Sequence, residues 1–323
     1  MAKLDLKDRK ILYELDLDCR QSNAQIGKKV GLGRDVVAYR INKLEEEGVI
    51  KFYWTNIDAY KLGYHVFRFY INYQYVTPEI KEKIINFLVS DKRTWVVNSI
   101  VGKYDLAVVV WVKNIHDFYN FWEKLLNKYG DYFSNKIFSI YVQAFSYPKS
   151  YLLLENYNES DRLDHEIVGV GESVKLDKMD MDILNIISDN ARIPLIDIAS
   201  KLKTSSQTIN YRIQNLTKQG VIQGFRVAVD ISKLDIQYYK VDIYLKEHSV
   251  RNKIIDFIKT NSSVGFIATS AGVSDLEIEF FIKDTVELNE EMNLINNKFP
   301  GTIKNWEYFT VSKNHKLKCI PES

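Results

Sequence analysis

The chain has 323 residues, room for two to four domains at roughly 100–200 residues each. Hydrophobic residues make up 46% and charged residues 27%, which supplies packed cores and argues against a disordered chain. Forty-four Lys and Arg against forty-two Asp and Glu leave a net charge of +2, so attraction to nucleic acid or membrane has to come from local patches. Two cysteines, Cys19 and Cys319, cannot build a disulfide framework and read as reduced thiols of a cytoplasmic protein. The longest apolar runs, such as 106–112, fall far short of the roughly 20 residues that span a bilayer. Residues 1–9 lack the apolar stretch of a secretory signal.

From the start, Leu6, Ile11, Leu12 and Leu15 recur at helical spacing, and Asp5 stands at an N-cap position, predicting a helix over 7–17. A short helix over 23–30 ends at Gly31, and a third over 34–47 ends at Gly48. Three helices with a tight turn before the third describe a helix-turn-helix, and the β-rich 49–56 makes it winged. Strand and helix then alternate: strands at 64–76, 93–101, 104–113 and 135–145, helices at 77–89 and 114–128. This is the β-α-β-β-α-β order of a ferredoxin-like unit. Such a sheet leaves one face without helices. Strands holding Phe67, Phe69, Ile71, Val97, Ile100, Val108, Val110 and Val112 are apolar enough to want that face covered, most economically by a second sheet.

The second sheet is in the same chain. At an offset of 172, Leu4-Asp5, Asp8, Ile11-Leu12, Arg20, Tyr39-Arg40-Ile41 and Gly48-Val49-Ile50 match Leu176-Asp177, Asp180, Ile183-Leu184, Arg192, Tyr211-Arg212-Ile213 and Gly220-Val221-Ile222. Further on, Gly102 and Asp105-Leu106 match Gly272 and Asp275-Leu276 at an offset of 170. The second copy repeats the helices at 178–187, 195–202 and 205–219, the β-rich stretch at 221–229, and the sheet domain from 238 to a last strand at 303–311. The fold class is α+β, two winged helix-turn-helix domains (1–62, 175–235) alternating with two βαββαβ domains (63–150, 236–323), joined by a polar linker (151–174). Within the linker six acids face a lone Arg162, and a short strand or helix has room there.

In order, spacing and duplication, Leu4-Asp5, Asp8, Ile11-Leu12, Arg40-Ile41, Leu44-Glu45, Gly48-Val49-Ile50 and Gly102-Lys103-Tyr104-Asp105-Leu106 resemble the Lrp/AsnC (leucine-responsive, feast/famine) family of prokaryotic transcription regulators. The resemblance covers nearly the whole chain, twice. It implies that the helical domains bind double-stranded DNA and regulate transcription, and that the sheet domains, of the RAM type, bind a small effector such as an amino acid and assemble the protein, here as a homo-oligomer. It implies no cofactor, membrane or catalysis. The implied effector residues are Gly102, Tyr104 and Asp105, with Gly272 and Asp275 in the second copy, whose hairpin lacks the Tyr; a plain tight hairpin is the alternative.

The third helix of such a head enters the major groove with its N-terminal residues at base edges. In the first copy these are Arg34, Asp35, Val36 and Ala38, followed by Tyr39; in the second, Ser205, Ser206, Gln207, Thr208 and Asn210, followed by Tyr211. Gln and Asn suit adenine and Arg suits guanine, so the two half-sites are expected to differ. Phosphate contacts are expected from Lys28, Lys29, Arg40 and Lys43, and from Lys201, Lys203, Arg212 and Lys218. Arg40 and Arg212 could instead bridge a carboxylate in their own domain, and the tyrosines could be packing. Residues 23–51 carry +2 and 195–226 carry +4, favouring the second copy as the stronger grip. Two rivals remain: a siroheme decarboxylase, which shares this architecture, and a sensing or architectural protein that no longer reads sequence. No nucleophile–base pair, zinc-ligand spacing or phosphate loop supports the enzyme, and no His falls at equivalent places in both copies.

Overall fold

The computed structural model describes residues 4–153, 162, 166–169 and 172–321. Most of the linker, including Glu155, Glu159, Asp161 and Asp164, lies outside the described residues.

The first head is built from α1 (Leu6–Leu17), α2 (Asn23–Val30) and α3 (Arg34–Glu46), followed by β1 (Ile50–Ile57). Each early helix is fixed by its own sequence. Asp5 and Asp8 form a reciprocal capping box on α1, Ser22 and Gln25 form another on α2, and Gly31 ends α2 at φ +69°. The first sheet domain follows as β2 (His65–Tyr73), α4 (Pro78–Ser90), β3 (Thr94–Gly102), β4 (Leu106–Val112), α5 (Ile115–Tyr129) and β5 (Phe133–Ser146). Beyond it, β6 (Glu166–Val168) is the short strand for which the linker had room.

The second head has α6 (Lys178–Ser188), α7 (Leu195–Lys201), α8 (Ser206–Lys218) and β7 (Ile222–Val229). Its capping box, Asp177 with Asp180, repeats the first. The second sheet domain is β8 (Gln237–Leu245), α9 (Arg251–Ile258), β9 (Val264–Ala271), β10 (Leu276–Ile282), α10 (Thr285–Lys298) and β11 (Ile303–Leu317). The sequence pattern predicts an end at 311 for this last strand, but it runs on to Leu317. Residues 313–317 are mostly polar and show no apolar alternation; they are strand because β3 of the other module supplies the pairing.

Three strand pairings join the modules: β1 with β7, β3 with β11 and β5 with β9. The strands β1 and β7, the wings of the two heads, pair with each other antiparallel, so neither wing stands free. The larger sheet runs β2-β4-β3-β11-β8-β10-β9-β5, and β5 pairs back to β2, closing the circuit. The two long strands make this possible. β5 lies beside β2 with its first half and beside β9 with its second, and β11 likewise beside β8 and then β3.

Helices cover the outside of the circuit, and the two sheets cover each other inside. The expectation that the sheets would pair is met, but its stated reason needs correction. Phe67, Phe69, Ile71, Val97, Val108, Val110 and Val112 all sit in the core beneath α4 and α5; only Ile100 lies between the sheets, with Tyr70, Tyr104, Ala107 and Phe309. Alternation sends every second residue inward, so the inner face is the polar one, carrying Arg68 and Tyr70.

The tail of the first sheet domain returns to the first head, where Tyr151 and Leu152 join the core of α1, and Ile320 does the same in the second head. Arg162, the lone basic residue of the linker, is fully buried. It donates to the carbonyls of Pro148 (3.0 Å), Lys259 (3.0 Å) and Val264 (2.5 Å) and to Ser150 Oγ (3.0 Å), pinning the linker against the second module.

Candidate nucleic-acid interface and effector hairpins

The buried spine of α3 is Val37, Ile41 and Leu44, and that of α8 is Ile209, Ile213 and Leu216. These fix which face is left out. Arg34, Asp35, Val36, Tyr39 and Lys43 are exposed on the first helix, with Ala38 half-buried; Ser205, Gln207, Asn210 and Tyr211 are exposed on the second, with Ser206 and Thr208 half-buried. Tyr39 and Tyr211 are 68% and 69% exposed, so neither serves as core packing.

Not every expected contact is free to reach DNA. Arg40 binds Asp5 at 2.8 Å and Asp8 at 2.6 Å, and Arg212 binds Asp177 and Asp180, both at 2.7 Å. The two acids of each capping box form a ready carboxylate pair, so the arginine ties the third helix to the first. This is the alternative reading, a carboxylate of the residue's own domain, and it engages Nη1 of each arginine. Hydrogen bonds to the acids raise each guanidinium's pKa, so both stay charged. Ser205 caps α8, accepting from the Thr208 N–H at 3.1 Å with its Oγ 2.9 Å from Thr208 Oγ1, so both hydroxyls already hold structure.

The lysines separate the copies. Lys29 pairs with Glu14 at 2.6 Å and Lys43 with Glu47 at 3.7 Å. The repeat puts Ile186 and Gln219 where those acids stand. Lys201, Lys203 and Lys218, like Lys28, make no ion pair among the described residues. Lys203 also occupies, at φ +52°, the left-handed seat that Gly31 fills in the first copy.

The heads are bolted together by contacts that occur in pairs. The Cys19 N–H donates to Phe225 O at 2.8 Å and the Ala191 N–H to Tyr53 O at 3.0 Å. Arg20 lies over the Phe225 ring and Arg192 over the Tyr53 ring. Some joints have no counterpart. Asp16, fully buried in α1, accepts from Arg226 of β7 at 2.7 Å and from the backbone of Lys149 at 2.8 Å, and also pairs with the Lys149 ammonium. Burial pushes the Asp16 carboxyl up, but Arg226 and Lys149 outweigh it and hold it below the usual range.

The hairpin residues sit at the two seams where the sheets join. A Cβ on Gly102 (φ +134°) would lie 2.6 Å from Tyr308 O, and one on Gly272 (φ +129°) 2.8 Å from Phe138 O. Only glycine lets the strands approach this closely. Asp105 and Asp275 each accept a backbone N–H, from Tyr73 and Leu245, at 2.8 Å. The hairpin reading is therefore right for all four, whatever else they do. Tyr104 is buried and stacks on Tyr70 at 4.6 Å.

Sequence reasoning missed one group. Arg68, Lys240, Asp242, Glu277 and Glu279 meet between the sheets. The visible signal was charge alternating with apolar residues in Lys240-Val241-Asp242 and Glu277-Ile278-Glu279, inside strands otherwise read as core.

A winged helix-turn-helix DNA-binding family matches twice, at residues 4–51 and 176–223. An HTH-type transcriptional regulator of Pyrococcus horikoshii is 32% identical over 149 residues, 45% of this chain and 99% of that protein. The HTH-type transcriptional regulator LrpB of Bacillus subtilis is 23% identical over 120 residues, 37% of this chain and 78% of that one. Among solved structures, the siroheme decarboxylase NirDL superposes over 98% of this chain and 94% of its own, with TM-score 0.65 and 13% identity, a likeness of fold alone. Relatives of half this length match nearly end to end, and the DNA-binding match occurs once per half. The chain belongs to the HTH-type transcriptional regulators of the Lrp/AsnC type, in a tandem two-module form.

Proposed function

We propose that this DNA-binding regulator grips one duplex with α3 and α8 together, and that the second head holds harder. The observation that carries the reading is the pair of exposed third-helix faces on heads locked to each other through β1 and β7. Arg34 and Tyr39 in the first head and Gln207, Asn210 and Tyr211 in the second are the proposed base readers. The proposed phosphate contacts are Lys28, then Lys201, Lys203 and Lys218, with Lys29 and Lys43 weaker because an acid neutralises each. Joined heads give a fixed separation, which favours half-sites about 10–10.5 bp or a multiple apart.

The test is a salt-titrated gel shift. Replacing Lys201, Lys203 and Lys218 by Ala is expected to lower affinity at least tenfold and flatten the slope of log affinity against log salt by about two to three. The same change at Lys28, Lys29 and Lys43 should flatten it by about one. Equal effects would reject the second head as the stronger grip.

The seam hairpins at Gly102–Asp105 and Gly272–Asp275 are the proposed effector sites, with an amino acid as the expected class. An effector there would act by favouring one of two arrangements of the seam. We read the chain as non-catalytic. The relatives above are named as regulators, and His65, His116 and His248 are exposed. A tetrapyrrole titration followed by absorbance is the check, and a saturable band shift would overturn this reading.

A further inference from the structure

The charges between the sheets are distributed unevenly. Arg68 comes from the first module, is 3% exposed, and ion-pairs with Glu277 of the second, 1% exposed. Lys240 bridges Glu277 at 2.9 Å and Asp242 at 2.7 Å, and Glu279 lies in the field of both cations. Every acid of the group is on the second sheet. The repeat puts Ala107, Val109 and Tyr70 where Glu277, Glu279 and Asp242 stand, and Arg68 where Lys240 stands.

Three pairings of these faces can be drawn. Unlike faces set two cations against three acids, leaving one negative charge. Two second-module faces set two lysines against six acids, leaving four negative charges. Two first-module faces bury two arginines with no acid. An uncompensated buried charge is among the costliest features an interface can hold, whereas a matched buried pair adds little net stability and much discrimination.

We infer that this network is a pairing code that admits only unlike halves, so that every binding unit carries one α3 and one α8 and reads a non-palindromic operator. The operator half of this statement rests on the DNA reading proposed above; the pairing half does not. The code also makes the inner sheet faces the place where one chain closes on itself.

The full-length chain tests it by charge reversal. Arg68→Glu and Glu277→Arg are each expected to lower the thermal midpoint by about 10 °C, because each buries like charges in contact. The double variant should recover most of that loss, and one no better than either single would overturn the code. The two single-reversal chains, tagged differently and refolded together, are expected to form a one-to-one dimer captured by both tags, since complementary faces then meet between chains. Neither should do so alone, and no dimer in the mixture rejects the code. Should the reversals not fold, Arg68→Met with Glu277→Met gives the neutral cycle, where the double must be milder than either single. Separately, a duplex selected from random sequence is compared with symmetric duplexes made from either half-site. At least tenfold weaker binding to both symmetric forms is expected. Equal binding alongside intact charge rescue would reject the DNA reading and leave the pairing standing.

Discussion

Across the seam between the heads the same bonds are made twice: Cys19 and Ala191 donate to Phe225 and Tyr53, and Asp58 and Asp230 donate to Val221 and Val49. Between the sheets the repeat is broken, with Arg68 answering to Lys240 while Ala107 answers to Glu277. The difference is one of chemistry. Backbone donors and acceptors are the same in any residue, so a duplicated seam keeps its bonds as side chains drift. A buried side-chain charge needs one particular partner, so where side chains meet, the halves become lock and key.

The one-sided joint at Asp16 should break hardest. Asp16→Asn leaves Arg226 and Lys149 facing a neutral amide and is expected to cost about 3–5 kcal/mol. Its counterpart Ser188 is also buried, but among the described residues its hydroxyl bonds only Asn185 O, at 2.9 Å. Ser188→Ala should cost about 1 kcal/mol. Urea melts of both variants measure the ratio, and similar losses would mean that the joint is not special.

The seam glycines come next. An alanine at 102 or 272 would press its Cβ on a partner carbonyl in a left-handed conformation, an expected loss of about 2–3 kcal/mol at either position. Here the modules are predicted to behave alike, because the clash is with backbone. A loss at only one position would show that one seam yields.

Acid should act on the unlike parts first. Burial pushes the Glu277 carboxyl up, but Arg68 and Lys240 overcome it and hold it at about 2 against an ordinary 4.5. A depressed folded value gives stability that is complete above about pH 4.5 and lost as pH falls toward 2. Asp16 acts in the same direction. Melting midpoints from pH 7 to pH 3 should hold to about 4.5 and then drop. In Arg68→Met the drop should be smaller and end at a higher pH, since one of the two cations holding the carboxyl down is gone.

How far the sequence foretold this follows the range of the forces. The α2 helix is legible end to end because Ser22, Gln25 and Gly31 fix it locally. That the two sheets pair was legible through the repeat, since a sheet with one bare face needs a second; their joining edge to edge through β3–β11 and β5–β9 was not. The tail of β11 was not, because Lys313 and Asn314 become strand only through β3. The commitment of Arg40 to Asp5 and Asp8 could be posed as an alternative, but its choice over phosphate needed coordinates. The charge between the sheets escaped notice because alternation was read for its apolar residues, which face the helices.

The smallest expected effect separates stability from grip at a single residue. Lys203 holds φ +52° where the first head has Gly31 at φ +69°. A side chain there costs roughly 1 kcal/mol, a cost that glycine avoids. Lys203→Gly is therefore expected to gain stability of about that size in urea melts. It also removes one exposed cation beside α8, so affinity for DNA should fall severalfold and the salt slope flatten by about one. A stabilised protein that binds less tightly would show the second head keeping a strained lysine for the duplex. A stabilised protein with unchanged affinity would move the phosphate contact to Lys201 and Lys218 and leave the strain at 203 without a purpose.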